Sequence, residues 1–157
     1  MAQQRLSENI IPENYKITLK PDLNKFTYRG SVEITALVKK PVSSITLHSK
    51  DLQIKNTTIC VGTQCLMPKI SLNEKTEQIT LTTNSKISPQ NIEIHLEFTG
   101  EITDSLVGIY RSKYEHVDKT KYMLTTQCEA PYARRIFPCF DEPDKKATFD
   151  LTVEIEK

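Results

Sequence analysis

The chain has 157 residues, of which 38% are hydrophobic, and its 21 Lys and Arg nearly balance its 20 Asp and Glu. A chain of this length can bury one hydrophobic core, and a near-neutral charge without a basic block argues against a nucleic-acid partner. No window approaches the roughly 20 apolar residues of a membrane span, and residues 1–8 lack an apolar run of signal-peptide length. We therefore expect a cytoplasmic protein without a membrane partner.

Alternation of apolar and polar residues predicts five clear strands. Their apolar stripes are Tyr15, Ile17 and Leu19; Val32, Ile34 and Ala36; Ile79 and Leu81; Ile92, Ile94, Leu96 and Phe98; and Phe149, Leu151, Val153 and Ile155. A period of two places each stripe on one face of a sheet, with the other face wet. Short strands with little helical signal predict an all-β fold, a multi-stranded sandwich or a curved, saddle-like sheet assembly. No linker or repeat divides the chain, so we expect one domain.

The three histidines have structural interpretations. We expect His48 and His95 on the polar faces of strands, opposite apolar residues. His116 lies in the charged stretch 113–121, which we interpret as a surface loop. No two histidines have the spacing of a helical ligand pair, so the sequence predicts no metal site.

The cysteines allow a sharper prediction. The segment 62–63, Gly-Thr, can form a two-residue hairpin turn in which glycine supplies the positive φ. Cys60 and Cys65 would then face each other at a non-hydrogen-bonded position, with Cα atoms about 4.5 Å apart. That distance is at the short end for a disulfide, and the chain is expected in the cytoplasm, so we predict reduced thiols. Cys128 and Cys139 are predicted to be small buried residues.

The most informative segment is the run 126–143, which reads TQCEAPYARRIFPCFDEP and fits neither a helical nor a strand period. A short strand over 122–127 precedes it, and Pro131 ends the pairing because it lacks an N–H group. Gln127 and Glu129 lie on the same side of the chain where the strand ends. Binding groups are commonly placed on rigid loops at strand ends, so this run is the candidate site.

Several short strings in this region occur in the same order in one protein family. TQCEA at 126–130, ARR at 133–135, FPCFDEP at 137–143 and KATF at 146–149 resemble the amino-terminal domain of zinc aminopeptidases related to aminopeptidase N. GIYRS at 108–112 is similar to a stretch of the same family. The resemblance is dense over the last third of the chain, and it also implies a saddle-like β fold.

The resemblance implies a role for two residues. In that family the glutamate of a Gln-x-Glu pair holds the free α-ammonium of the substrate, and the glutamine lines the pocket for the first side chain. By position, Glu129 is the amine anchor and Gln127 a residue of the first pocket. Relatives specialised for epoxide hydrolysis carry Gln in place of Glu129, so its glutamate favours aminopeptidase recognition. From composition alone, the alternative is an internal salt bridge from Glu129 to Arg134 or Arg135.

Four further charged residues of the run have a structural interpretation. We expect them to tie the loop together and to support the site from behind. They are Arg134, Arg135, Asp141 and Glu142.

The resemblance also shows what the chain lacks. The family's zinc needs an HExxH pair and a downstream glutamate, and its amine site needs a Gly-x-Met-Glu-Asn motif. Neither occurs here, so zinc is expected only in the complete enzyme, bound by an absent catalytic domain. We expect no catalytic residue and no metal ligand on this chain. The strand pattern 149–156 runs almost to Lys157, so we expect an incomplete domain, lacking its last strands, with an exposed sheet edge.

Together these observations favour the substrate-anchoring amino-terminal domain of a zinc aminopeptidase that removes N-terminal residues from peptides. Its partners would be a peptide N-terminus and a catalytic domain, in cis or on a separate chain. The alternatives are a non-enzymatic interaction or scaffold module and one subunit of a split aminopeptidase. The presence of both Gln127 and Glu129 favours the peptidase, because a scaffold has no evident need for an amine anchor.

Overall fold

A computed structural model describes residues 5–155, and nearly all of its regular structure is β, as the alternation predicts. The strands are β1 (Ile10–Asp22), β2 (Thr27–Val38), β3 (Val42–His48), β4 (Leu52–Val61), β5 (Gln64–Leu66), β6 (Lys69–Asn73), β7 (Gln78–Ile87), β8 (Gln90–Glu101), β9 (Gly108–His116), β10 (Lys119–Gln127) and β11 (Thr148–Val153). One 3-10 helix, Ala133–Arg135, lies between β10 and β11. No helix among the described residues is long and apolar enough to cross a membrane.

The described strands form three sheets. A six-stranded sheet has the order β11-β1-β2-β8-β4-β5, in which β11 joins β1 in parallel and the other neighbours are antiparallel. A three-stranded sheet has the order β3-β7-β6. The strands β9 and β10 form a separate antiparallel ribbon.

The two larger sheets share one hydrophobic core, which gives the domain its sandwich-like form. Ile34 and Ile94 from the six-stranded sheet are fully buried together with Ile45 and Leu81 from the three-stranded sheet. Burying a side chain of this size contributes about 1.5–3 kcal/mol. The predicted stripes of β1, β2, β7 and β8 are therefore confirmed as core-facing.

The stripe on β11 differs from the other four. Phe149, Leu151 and Val153 are 58%, 63% and 52% exposed, although the pattern predicts a buried face. The reason is that β11 is the edge strand, and no described element covers either of its faces. Its main apolar contact is the stacking of Phe149 on Tyr15, with ring centroids 4.9 Å apart. The end of the predicted strand at 156 lies outside the described residues, as do residues 1–4 of the segment 1–8.

The prediction for His116 is wrong, and the prediction for His48 misses the burial of its side chain. His48 ends β3 and is 1% exposed, because the segment around Cys139 pairs with it through two backbone hydrogen bonds and covers its polar face. The stretch around His116 is not a loop but the end of β9 and the start of β10. Val117 and Asp118 form the turn with φ values of 48° and 56°, so the charged residues lie on an exposed ribbon. His95 is half-exposed on the polar face of β8, as predicted.

The cysteine register is confirmed, whereas the predicted redox state is wrong. Cys60 pairs with Cys65 across the β4–β5 hairpin, and Gly62 has a φ of 59°. The two residues form a disulfide, because this register places their side chains directly opposite each other, and their Cα atoms are 4.0 Å apart. Cys139 is buried as predicted. Cys128 is exposed, contrary to prediction, because it follows the last paired residue of β10 and no described segment covers it.

Candidate functional site

The ribbon of β9 and β10 carries the candidate loop. Gly108, at the start of β9, pairs with Gln127, the last residue of β10. Two strings that are separated in the sequence, 108–112 and 126–130, therefore meet at the end of the ribbon where the loop begins. Gly108 has a φ of 66°, and a Cβ atom there would lie 2.9 Å from the Cβ of Arg135. Any other residue would be strained and would also displace the loop.

Glu129 lies on the exposed first part of the loop. Its backbone N–H donates to Oε1 of Gln127 at 3.1 Å, and Tyr132 N–H donates to the carbonyl of Cys128 at 2.9 Å. The peptide bond between Ala130 and Pro131 is cis. Within the described residues the Glu129 carboxylate forms no salt bridge, so the internal ion pair considered as the alternative is not made. The side chains of Gln127 and Glu129 thus remain on the surface, on the same turn of backbone.

Unlike the exposed Glu129, Arg134 is buried, with only 1% of its side chain exposed. Its Nε donates to a carboxylate oxygen of Asp141 at 2.8 Å, and its Nη2 donates to the backbone carbonyl of Asp141 at 3.3 Å. Its Nη1 donates to Oε2 of Glu77 at 3.1 Å, from the turn between β6 and β7. A buried guanidinium is stable only when such acceptors satisfy it, so this arginine fixes the path of the loop.

Glu77 also has a second cationic partner. Its other carboxylate oxygen accepts a hydrogen bond from the ammonium group of Lys50, whose backbone N–H donates to the carbonyl of Arg134 at 2.9 Å. Burial acts to raise the pKa of Glu77, but the hydrogen bonds and charges of Lys50 and Arg134 outweigh it and hold that pKa below its usual value. The carboxylate is therefore ionised at neutral pH.

His48 contacts the same loop from the end of β3. Its Nδ1 accepts a hydrogen bond from the backbone N–H of Asp141 at 3.3 Å, so the ring is neutral with its proton on Nε2. Burial, and then the positive charge of Arg134, lower the pKa of His48, and this outweighs the opposing effect of nearby carboxylates. The histidine is thus a neutral acceptor that helps to seat the loop.

Arg135 and Glu142 make more peripheral contacts. Arg135 forms a salt bridge with the exposed carboxylate of Asp51, and its Nε has no partner in the described structure. Glu142 accepts a hydrogen bond from the backbone N–H of Leu6 at 2.7 Å. These contacts connect the loop to two other segments. It stays a prediction that these four charged residues support a substrate site: Arg134, Arg135, Asp141 and Glu142.

Two buried tyrosines also hold the loop from the core side. The hydroxyl oxygen of Tyr28 lies 2.9 Å from the carbonyl oxygens of both Arg135 and Ile136, which share its single proton. The hydroxyl oxygen of Tyr15 accepts from the backbone N–H of Phe140 at 3.0 Å. Burial raises the pKa of both tyrosines, which therefore remain protonated.

The sequence reasoning missed the residues that meet the loop from other strands. Glu77, Lys50 and Asp51 lie in polar segments that resemble ordinary turns. Asp51 and Glu77 have φ values of 57° and 55°, and although Asp is enriched at positive φ, nothing around these two positions predicts that conformation. No local pattern could have paired them with the run 126–143.

The described residues contain no group of three or more His, Cys, Asp or Glu side chains arranged to hold a metal ion. The donor set of this region is one exposed carboxylate, one amide and a set of internally paired charges. This arrangement can bind a cationic group on its exposed side, and it does not fit zinc.

The sequence of this chain is similar to those of known proteins. The family model for the Peptidase M1 N-terminal domain matches residues 11–157. Puromycin-sensitive aminopeptidase of Caenorhabditis elegans is 34% identical over 98% of this chain and 16% of its own length. Aminopeptidase 2, mitochondrial, of Saccharomyces cerevisiae is 36% identical over 94% of this chain and 16% of its own length. Aminopeptidase N of Lactococcus lactis subsp. cremoris is 37% identical over the whole chain and 18% of its own length. The chain spans less than a fifth of the length of these relatives.

Proposed function

The chain belongs to the Peptidase M1 N-terminal domain family, and we propose that it is the substrate-anchoring domain of a zinc-dependent aminopeptidase that removes N-terminal residues from peptides. The observation that carries the proposal is the exposed Glu129 carboxylate, which has no ion-pair partner among the described residues. It stands on a loop held by a strand end and by the buried Arg134. In this proposal Glu129 binds the α-ammonium of the substrate, and Gln127 lines the pocket for the first side chain.

The chemistry of an ammonium group explains the specificity. A carboxylate forms a charge-assisted hydrogen bond with an ammonium, and this bond is stronger where water is excluded. A blocked or internal peptide position offers no cation, so its binding would leave Glu129 desolvated without a partner. The domain would therefore select free peptide amino termini.

The contribution of this domain is positioning rather than acid–base chemistry. By holding the ammonium, Glu129 would fix the first peptide bond relative to the catalytic groups. Zinc would supply Lewis-acid activation of the hydrolysis, bound by a catalytic domain outside this chain. We propose that this catalytic domain lies in cis, since the chain matches only 16–18% of the length of these aminopeptidases.

The cytoplasmic location expected from the sequence stays a prediction. The Cys60–Cys65 disulfide is more typical of an oxidising compartment, and one relative has a mitochondrial location in its name. Cell fractionation with an antibody against this chain tests the location. The intact mass detected by the same antibody tests the cis arrangement, since a species far above 18.0 kDa is expected.

The main test of the function is the Glu129→Gln variant of the complete enzyme, assayed with an aminoacyl anilide. Removing the charged partner of the ammonium should cost about 2–5 kcal/mol in kcat/KM. Glu115→Gln is the matched control, because Glu115 is an exposed glutamate on the ribbon strand β9. Near-wild-type kinetics for Glu129→Gln would remove Glu129 from the substrate site.

A further inference from the structure

The position of Glu129 depends on the backbone on either side of it. On one side, β10 remains paired up to Gln127. On the other side, the 3-10 helix holds the chain through hydrogen bonds from Arg135 N–H to Tyr132 O at 3.1 Å and from Ile136 N–H to Ala133 O at 2.8 Å. No salt bridge holds the Glu129 side chain within the described structure. Its placement is therefore set by the end of the β9–β10 ribbon on one side and by whatever fixes the 3-10 helix relative to the sheets on the other.

Arg134 is the residue of that helix with the most side-chain contacts, and its two carboxylate partners have different consequences. Asp141 lies in the same loop, so its carboxylate folds the loop on itself, while its backbone N–H joins the loop to His48 at the end of β3. Glu77 lies on the turn between β6 and β7, so its contact joins the helix to the three-stranded sheet. Of the two carboxylates, Glu77 is therefore the one that joins the Arg134 side chain directly to the three-stranded sheet.

Glu77 is itself held firmly in place. It has a φ of 55°, its N–H donates to the carbonyl of Glu74 at 3.3 Å, and its carbonyl accepts from Ser49 N–H at 2.8 Å. Lys50, the next residue after Ser49, contacts the Glu77 carboxylate with its ammonium and the Arg134 carbonyl with its N–H. Glu77, Lys50 and Arg134 thus form a closed ring of contacts between two turns and the loop.

We propose that Glu77 is a positioning residue for the amine-anchoring carboxylate, acting through Arg134 on the backbone that carries Glu129. This inference rests on the proposed function of Glu129. Glu77 contacts neither Glu129 nor the substrate in this scheme. It determines where the anchor stands relative to the rest of the enzyme, and small displacements of a positioning group cost large factors in rate.

The test is a double-mutant cycle in the complete enzyme, with kcat/KM for an aminoacyl anilide as the readout. Glu77→Gln removes the charge and keeps the shape, and it should lower kcat/KM by about tenfold when Glu129 is present. In the Glu129→Gln background the same substitution should change kcat/KM by less than about twofold, because there is no anchor left to misplace. Glu74→Gln is the matched control, because Glu74 is an exposed glutamate on the same turn.

The outcomes separate the inference from the proposed function. A large loss for Glu129→Gln, with the same factor for Glu77→Gln in both backgrounds, would overturn the positioning role and leave the function of Glu129 intact. A near-wild-type Glu129→Gln enzyme would overturn both. If Glu77→Gln does not fold, Lys50→Gln can replace it, because Lys50 is the other cationic partner of the Glu77 carboxylate. The effects of Lys50→Gln and Glu129→Gln on kcat/KM should then be non-additive in the same way. Additive effects of Lys50→Gln would then count against the proposal.

Discussion

The loop after β10 has an exposed first part, 128–130, and a largely buried part, 134–141, and the charged side chains of the two parts differ in their partners. Glu129 lies on the surface without a salt bridge in the described structure, whereas Arg134, five residues later, is 1% exposed with acceptors from two segments. The difference shows how one short run can serve two purposes. Internal pairing of the buried charges holds the backbone, and in the proposed function the exposed carboxylate binds the ammonium group of the substrate.

The largest effect is expected from breaking the buried part. Arg134→Met should lower the free energy of unfolding by about 3–5 kcal/mol, because it leaves the carboxylates of Glu77 and Asp141 without their shared partner. Arg135→Met is the adjacent control. Its salt bridge joins Asp51, whose side chain is 64% exposed, so the loss should be under about 1 kcal/mol. Urea unfolding followed by circular dichroism measures both, and equal losses would remove the distinction between the two arginines.

A smaller, pH-dependent effect should arise where His48 meets the buried part of the loop. Burial and the charge of Arg134 lower the pKa of His48, so the unfolded chain takes up a proton near pH 6.5 and the folded chain only at lower pH. The stabilisation is therefore fully present above about pH 6.5 and is lost as the pH falls toward the folded pKa. We expect the urea midpoint to fall between pH 7 and pH 5.

The variant His48→Gln isolates this contribution. It should show a shallower fall of the urea midpoint over the same pH range, since the titrating group is gone. His116→Gln, on the exposed ribbon, should keep the wild-type slope. A wild-type slope in His48→Gln would mean that other groups cause the pH dependence. The charges of Asp141, Glu142 and Glu77 act on the pKa of His48 in the opposite direction to burial.

The smallest effect on stability should come from the exposed part. Glu129→Gln should change the free energy of unfolding by less than about 0.5 kcal/mol, because the side chain is exposed and has no salt bridge in the described structure. Thermal denaturation of the same preparation used for kinetics measures this. A large destabilisation would mean that Glu129 has an internal structural role, and the comparison between the two parts of the loop would fail.

The sequence predicts the sheets well where burial follows a period of two. The stripes of β2 and β8 face the core as expected, because alternation is a local property of the chain. The stripe of β11 predicts a strand but not its exposure, since burial depends on which element covers it. The ribbon around His116 is interpreted as a loop from the sequence because a strand with both faces exposed to solvent carries charged residues on both faces. It therefore shows no alternation of apolar and polar residues.

The composition of the run 126–143 and its resemblance to one family predict the candidate site. They do not predict the residues that contact the run from distant parts of the chain. Arg134 and Glu77 are 57 positions apart, and neither neighbourhood indicates the other. His48 was placed on a polar face because its strand was considered alone, without the loop that covers it. The Cys60–Cys65 pairing followed from turn geometry, whereas the redox state was inferred from an expected compartment and was wrong.

The parallel pairing of β1 with β11 has a consequence for biosynthesis. Asn14 and Thr148, which face each other across this pair, are 134 positions apart in the chain. At a translation rate of about 5–20 residues per second, β1 waits on the order of ten seconds before β11 has been made. Throughout that interval the outer edge of β1 presents unpaired backbone groups, which are a template for aggregation. We therefore expect nascent-chain chaperones to protect the edge of β1 until the ribosome has passed the loop and β11.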